Sequence, residues 1–142
     1  MTKSVIAFLD ELKSHKIQTS DFNLPDWKES SKGFNDLLES LFKITLPTAI
    51  ITDEAYQYIA AQQFFLNKGI RVPQQLSLIC SDYDPLFRWC LPTVSHISWN
   101  YNVILSRILR WAMNVKSGKL DLQQTSLNAT FIEGGTIGPS IN

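Results

Sequence analysis

The chain is short of cysteine, of histidine and of any surplus charge, and each shortage removes a class of function. Its two cysteines, Cys80 and Cys90, are too few for a disulfide framework or a cysteine-built metal site. Basic and acidic residues number 13 each, so no net field draws the chain to nucleic acid or to an anionic membrane. No apolar run approaches the roughly 20 residues of a membrane span. The opening "MTKSVIAFLDELKSHK" is too interrupted by charge to be the apolar core of a signal peptide. The expected compartment is therefore the cytoplasm, with no membrane partner. Histidine occurs only as His15 and His96, neither beside a serine or cysteine arrangement that stands out, and no G-x-S-x-G elbow is present. Neither a phosphate loop nor G-x-G-x-x-G occurs; "EGGTIG" follows a strand-like run but opens no helix, so its glycines read as turn residues. Nothing here calls for a cofactor or a metal.

What remains is ample apolar material, 44% of 142 residues, enough for one globular domain with a real core. Apolar residues recur at three and four in "SVIAFLDELKSHK", "SSKGFNDLLESLF", "EAYQYIAAQQFFLNKG" and "YNVILSRILRWAMNVKSG", which predicts four helices. Ser30 or Ser31 is placed to cap the second, and Gly69 to close the third in a left-handed conformation. Between them lie "TAIITD", "LSLICSD", "SHIS" and "NATFIEG", with a short extended piece "TSDFNLPDW" closed by Pro25. "TAIITD" and "LSLICSD" are apolar on both faces, as buried parallel strands are. Helices alternating with buried strands predict an α/β fold: a parallel three-layer αβα sheet with right-handed crossovers. A chain of this kind that opens on a helix rather than a strand reads as an incomplete unit.

Two interior strands end in acid: Asp53 and Glu54 after the first, Asp82 and Asp84 after the second. Open parallel sheets bind ligands beyond the carboxyl ends of their strands, where loops and helix N-termini converge. Glu54 also stands where a carboxylate caps the third helix, so solvation and capping account for such acids equally well. Trp27, Trp89 and Trp99 flank or follow the strands, whereas Trp111 sits mid-helix and reads as packing. Indole faces with carboxylates suit a polyhydroxylated ligand, since the rings stack on apolar sugar faces and the carboxylates accept hydroxyl hydrogen bonds. Two other readings stay open. One is an α/β enzyme using Asp82, Asp84 and His96 on a phosphorylated or glycosidic substrate. The other is an interaction module whose contact surface is "DPLFRWCLP", with Phe87 and Trp89. A magnesium site of the phosphorylated-receiver kind is disfavoured, because "SHISWN" lacks the lysine such a site needs.

The order of these pieces resembles the sensor domain of the LacI/GalR family of bacterial transcription regulators. "PTAII", "NKGIRVP", "LSLICSDYD", "LPTVSHI" and "VKSGK" carry the likeness, in that order, and "AFLDELKSHKI" is similar to the family's first helix of the lobe. "TDE" and "EGGTIGP" look more like the branch fused to a GntR-type winged helix. The resemblance implies the periplasmic-binding-protein-like type I fold and no catalysis. It implies a small effector, a sugar or another small polar metabolite, a homodimer, and operator DNA gripped only through a separate N-terminal head. It carries effector contacts onto Asp53, Glu54, Asp82, Trp27 and Trp99. The family's effector-binding arginine falls near Ser4, where this chain has none, so either Lys3 substitutes in part or the contact is absent. The family has asparagine-aspartate where this chain has Asp53-Glu54, and a polar residue at Trp99, so a different effector is implied. The whole of residues 1–142 is expected to be the C-terminal lobe with its crossing helix, the N-terminal lobe and the DNA-binding head being absent from this chain.

Overall fold

The structure, a computed structural model, describes residues 3–139, with the backbone alone at Lys3 and Ser4. The chain divides into two units, Met1–Leu46 and Pro47–Asn142.

The first unit holds helices α1 (Lys3–Ser14) and α2 (Ser31–Ile44). Ser30 is the N-cap of α2: its backbone is extended and its Oγ accepts the Gly33 N–H at 3.0 Å. Leu38 is the buried residue of that helix, and Pro47 follows shortly after its end. The stretch "TSDFNL" is a turn, not the short extended piece expected. The Asn23 side chain accepts the Ser20 N–H at 2.8 Å, and the Asn23 N–H returns to the Ser20 carbonyl at 2.9 Å. A side chain that satisfies the backbone locally removes the incentive to pair in a sheet.

The second unit is built on a four-stranded open sheet in the order β1 (Ala49–Thr52), β2 (Ser77–Cys80), β3 (Ser95–Trp99), β4 (Ala129–Ile132). The first three strands are parallel; β4 runs antiparallel to β3, pairing Trp99 with Ala129 and His96 with Ile132. The fold is thus mixed α/β with a mostly parallel sheet. An antiparallel edge strand on such a sheet is common. β2 is the interior strand the sequence promised, with Leu78 and Cys80 fully buried. β1 and β4 are edges, and Ile51 on β1 is 51% exposed.

Helix α3 (Ala55–Lys68) packs on β1 and β2 and buries Tyr58, Ala61, Phe64 and Phe65, a stripe at helical spacing. Gly69 ends it at φ 70°, its N–H reaching back to the Leu66 carbonyl at 3.1 Å. A 3-10 turn, Pro85–Trp89, follows β2 and drives Phe87 into the core beside Tyr58. Helix α4 (Tyr101–Lys116) has no buried residue, and Trp111, expected to pack, is 49% exposed. It is held instead through Arg107, whose guanidinium grips both oxygens of Asp121 in the segment that follows.

The chain's last described stretch fastens the sheet. β2 and β3 pair directly only at Ile79–Ser95 and Cys80–His96. Below that, Thr136 takes the place of a ladder. Its carbonyl accepts the Leu78 N–H and its Oγ1 accepts the Ser95 N–H, both at 2.9 Å. Gly134 and Gly138 bond to Ser95 Oγ and Ser77 Oγ at 3.0 and 3.1 Å. The glycines of "EGGTIG" therefore serve close backbone approach more than the turn alone.

Candidate functional site

Parallel pairing of Thr52 with Cys80 and of Cys80 with His96 fixes where the strand ends fall. The residues just past β1, β2 and β3 leave the sheet at one edge. Asp53 and Glu54 lie there beside Ser81 and Asp82, and β3 arrives at Trp99 followed by Asn100 and Tyr101. Four of the five residues expected to touch ligand are thus delivered to one edge. The fifth, Trp27, belongs to the first unit, where its ring packs against Phe34 at 5.2 Å between centroids. The side chains of Lys3 and Ser4 lie outside the described residues.

Each carboxylate has a local partner, and none of those partners is a cation. Ser81 Oγ donates to Asp53 Oδ1 at 3.1 Å, while the Asp53 N–H donates to Gln57 Oε1 at 3.0 Å. Glu54 is the N-cap of α3 and forms a capping-box pair with Gln57, whose Oε1 accepts the Glu54 N–H at 3.3 Å. Glu54 therefore performs the capping role that its position allowed. Asp84 is likewise committed: it caps the 3-10 turn, accepting the Leu86 N–H at 2.8 Å.

Asp82 is different. Its Oδ1 accepts two donors, the Tyr83 N–H at 2.8 Å and the Tyr101 hydroxyl at 3.2 Å. Its Oδ2, like the Oδ2 of Asp53 and of Asp84, has no hydrogen-bond partner among the described residues and is left to solvent or to a ligand. Asp82 and Glu54 also act on one neighbour. Burial pushes the Cys80 thiol up, and the negative charges at Asp82 and Glu54 add a smaller push in the same direction. The two carboxylates therefore share one electrostatic neighbourhood. Tyr101, missed in the sequence, follows from a simple signal: a phenol at the first helical position after a strand end carries its polar tip to the edge. Partial burial first, then the charge on Asp82, hold that phenol above its ordinary range.

His96 is a core residue. It is 8% exposed, its Nδ1 lies 2.8 Å from the Val94 carbonyl oxygen, and its ring packs on Tyr83 and Phe87 at 5.2 and 5.6 Å. With His96 buried and Asp84 capping a turn, Asp82, Asp84 and His96 do not form an acid-base set. Among the described residues no three His, Cys, Asp or Glu side chains are placed to hold a metal ion. None of the described helices is long and apolar enough to cross a membrane.

The sequence pattern of the periplasmic binding protein-like domain matches residues 3–137. The chain belongs to that family. No curated protein sequence is similar enough to count as a match. Among solved structures, the Escherichia coli transcriptional repressor ascG superimposes with a TM-score of 0.74 at 18% identity, over 90% of this chain and 47% of its own. A sugar-binding LacI-family regulator from Escherichia coli, solved with phosphate, gives 0.76 at 18% identity over 93% and 48%. A LacI-family regulator from Enterococcus faecium with bound ribose gives 0.77 at 12% identity over 94% and 50%. At these identities the likeness shows the shared fold, and this periplasmic binding protein-like chain spans about half the length of each of these structures.

Proposed function

We propose that this chain is the C-terminal lobe of the effector-sensing domain of a cytoplasmic, homodimeric LacI-type transcription regulator. Its task is binding without chemistry, and its effector is a small polyhydroxylated molecule of the sugar class. Operator DNA is gripped by a separate N-terminal head. Membership of the periplasmic binding protein-like family and the regulator folds of its structural neighbours support this reading. The bound ribose of one of those neighbours agrees with the chemistry of the strand-end edge.

The observation that carries the proposal is Asp82 at that edge, with one carboxylate oxygen satisfied twice and the other open. An open carboxylate oxygen accepts a ligand hydroxyl in a charge-assisted hydrogen bond, and losing such a bond costs about 1.5–3 kcal/mol. Asp53 and Trp99 sit on the same edge and are proposed to complete the contact. Glu54 contributes there through its charge while it caps α3. A calorimetric survey of D-ribose, D-glucose, D-galactose and adenosine tests this reading. Binding of a sugar by the wild type, weakened about tenfold or more in Asp82→Ala, supports it. No binding, or equal binding by Asp82→Ala, removes it.

A second reading is favoured by one observation. Trp89 and Leu91 are 87% and 89% exposed on the turn after β2, whereas Phe87, expected beside Trp89 as a contact, is buried. We propose that Trp89 and Leu91 form the homodimer contact; sedimentation of Trp89→Ala as a monomer supports this, and an unchanged dimer removes it.

A further inference from the structure

Asp82 is held from two elements at once. The Tyr83 N–H comes from its own strand end, and the Tyr101 hydroxyl comes from the first turn of α4. Both donors land on Oδ1. A carboxylate with one donor swings about its Cβ–Cγ bond, whereas two donors from separate elements fix its plane. With the plane fixed, Oδ2 has a set direction at the strand-end edge. Preorganisation of this kind preserves affinity because the ordering has already occurred before the ligand arrives.

Tyr101 is free to do this. It is 50% exposed, so its ring is not a core residue held for packing, and α4 buries no residue of its own. Asn100 caps the helix, with its Oδ1 accepting the Asn102 N–H at 3.2 Å, so the start of α4 is secured independently of the tyrosine hydroxyl. Removing that hydroxyl leaves cap and ring in place and takes away one thing, the second donor to Asp82.

We infer that Tyr101 is a positioning residue for effector recognition: its hydroxyl fixes the Asp82 carboxylate so that Oδ2 alone meets a ligand hydroxyl. This rests on the reading of Asp82 as an effector contact. It adds that the selectivity of the site resides in a residue outside the strands, one that acts through Asp82 and not on the ligand.

The test is a double-mutant cycle on the full chain, with D-ribose, D-glucose and D-galactose as probes and thermal unfolding measured in parallel. Tyr101→Phe is expected to weaken the sugar that binds best about tenfold, to narrow the difference between the epimers glucose and galactose, and to leave the unfolding temperature unchanged. Asp82→Ala weakens binding more, and Tyr101→Phe added to Asp82→Ala causes no further loss, because residues acting through one another are not additive. Wild-type affinity in Tyr101→Phe overturns the inference, as does a full additive loss in the double variant, which places the hydroxyl on the ligand itself. If the wild type binds none of the three sugars, the reading of Asp82 as an effector contact fails first and the role of Tyr101 falls with it.

Discussion

Ser81 and Asp53 join β1 to β2 one residue beyond the last paired positions. Ser81 Oγ donates to the Asp53 carboxylate at 3.1 Å, just past the Thr52–Cys80 pair. This side-chain bond adds to the last backbone bond between the two strands, from the Ser81 N–H to the Thr52 carbonyl at 2.8 Å. This keeps Asp53 in the same edge as Asp82 although β1 is an edge strand with a half-exposed face. The bond is exposed, so its contribution is small. Ser81→Ala is expected to lower stability by about 0.5–1 kcal/mol in urea unfolding; a loss of several kcal/mol would mean that the Ser81 side chain does more than tie the strand ends together.

The C-terminal segment offers a sharper contrast among glycines. A Cβ added at Gly138 would stand 2.3 Å from the Pro73 carbonyl oxygen, and one at Gly134 would stand 2.3 Å from the Thr93 carbonyl oxygen. Both obstacles are backbone and cannot rotate away. At Gly69 nothing lies within 4 Å, and only its φ of 70° opposes a side chain. Gly134→Ala and Gly138→Ala are therefore each expected to cost about 2–3 kcal/mol, as overpacked sites do. Gly69→Ala is expected to cost about 1 kcal/mol, the ordinary penalty for a left-handed alanine. Chemical denaturation of the three variants side by side checks the order.

This contrast also shows which parts of the molecule were legible in the sequence. Gly69 was legible because a helix C-cap is local: the lysine before it and the end of the apolar period mark it. Ser30, Glu54 and the four helices were legible for the same reason. The role of "EGGTIG" was not, because it depends on Thr93, Pro73 and Ser95, whose proximity only the fold creates. The interior strand β2 announced itself by being apolar on both faces. β1 has the same pattern and is half exposed, since composition does not tell an edge from a centre. The position of Asp53, Glu54 and Asp82 at strand ends was legible because acid after an apolar run is a local pattern. Tyr101 was missed because its meaning comes from a contact with a residue 19 positions away. "TSDFNL" misled because Asn23 satisfies the backbone in a way that apolar alternation does not register.

Asp121 links α4 to the segment after it and carries a pH signature. Arg107 binds both its oxygens, and Asn114 Nδ2 donates to Oδ2 at 2.8 Å. The Arg107 guanidinium first, then Asn114, hold its carboxyl below the ordinary value of 3.8. A folded-state value below the unfolded one means that the native chain binds fewer protons in that window. Stability from this group is therefore fully present above pH 3.8 and is lost as pH falls through the depressed value. Asp121→Asn is expected to flatten the acid limb: wild type and variant differ most near neutrality and converge below the ordinary carboxylate range. Urea unfolding at a series of pH values reads this directly, and a difference that stays constant down to the lowest pH contradicts the pairing.

Tyr58 is expected to show the opposite limb. It lies on the buried face of α3, is 0% exposed, packs on Phe87 with centroids 5.3 Å apart, and its hydroxyl has no hydrogen-bond partner among the described residues. Burial pushes the phenol from 10.0 up to about 12, with the neighbouring Thr136 hydroxyl offsetting part of the rise. A raised folded-state value means that the native chain keeps its proton where the unfolded chain has lost it. This contribution is intact below pH 10 and disappears as pH climbs through about 12, a loss of roughly 2–3 kcal/mol for a shift of this size. Tyr58→Phe removes both the ionisation and the unpaired hydroxyl. It is expected to be as stable as the wild type at pH 7 or more stable by up to about 1 kcal/mol, and to hold that stability better between pH 10 and 12. Parallel alkaline titrations of unfolding for the two proteins decide it: curves of equal slope would mean that the phenol reaches water or a partner in the native state, and a large loss at pH 7 would mean that its hydroxyl is bonded after all.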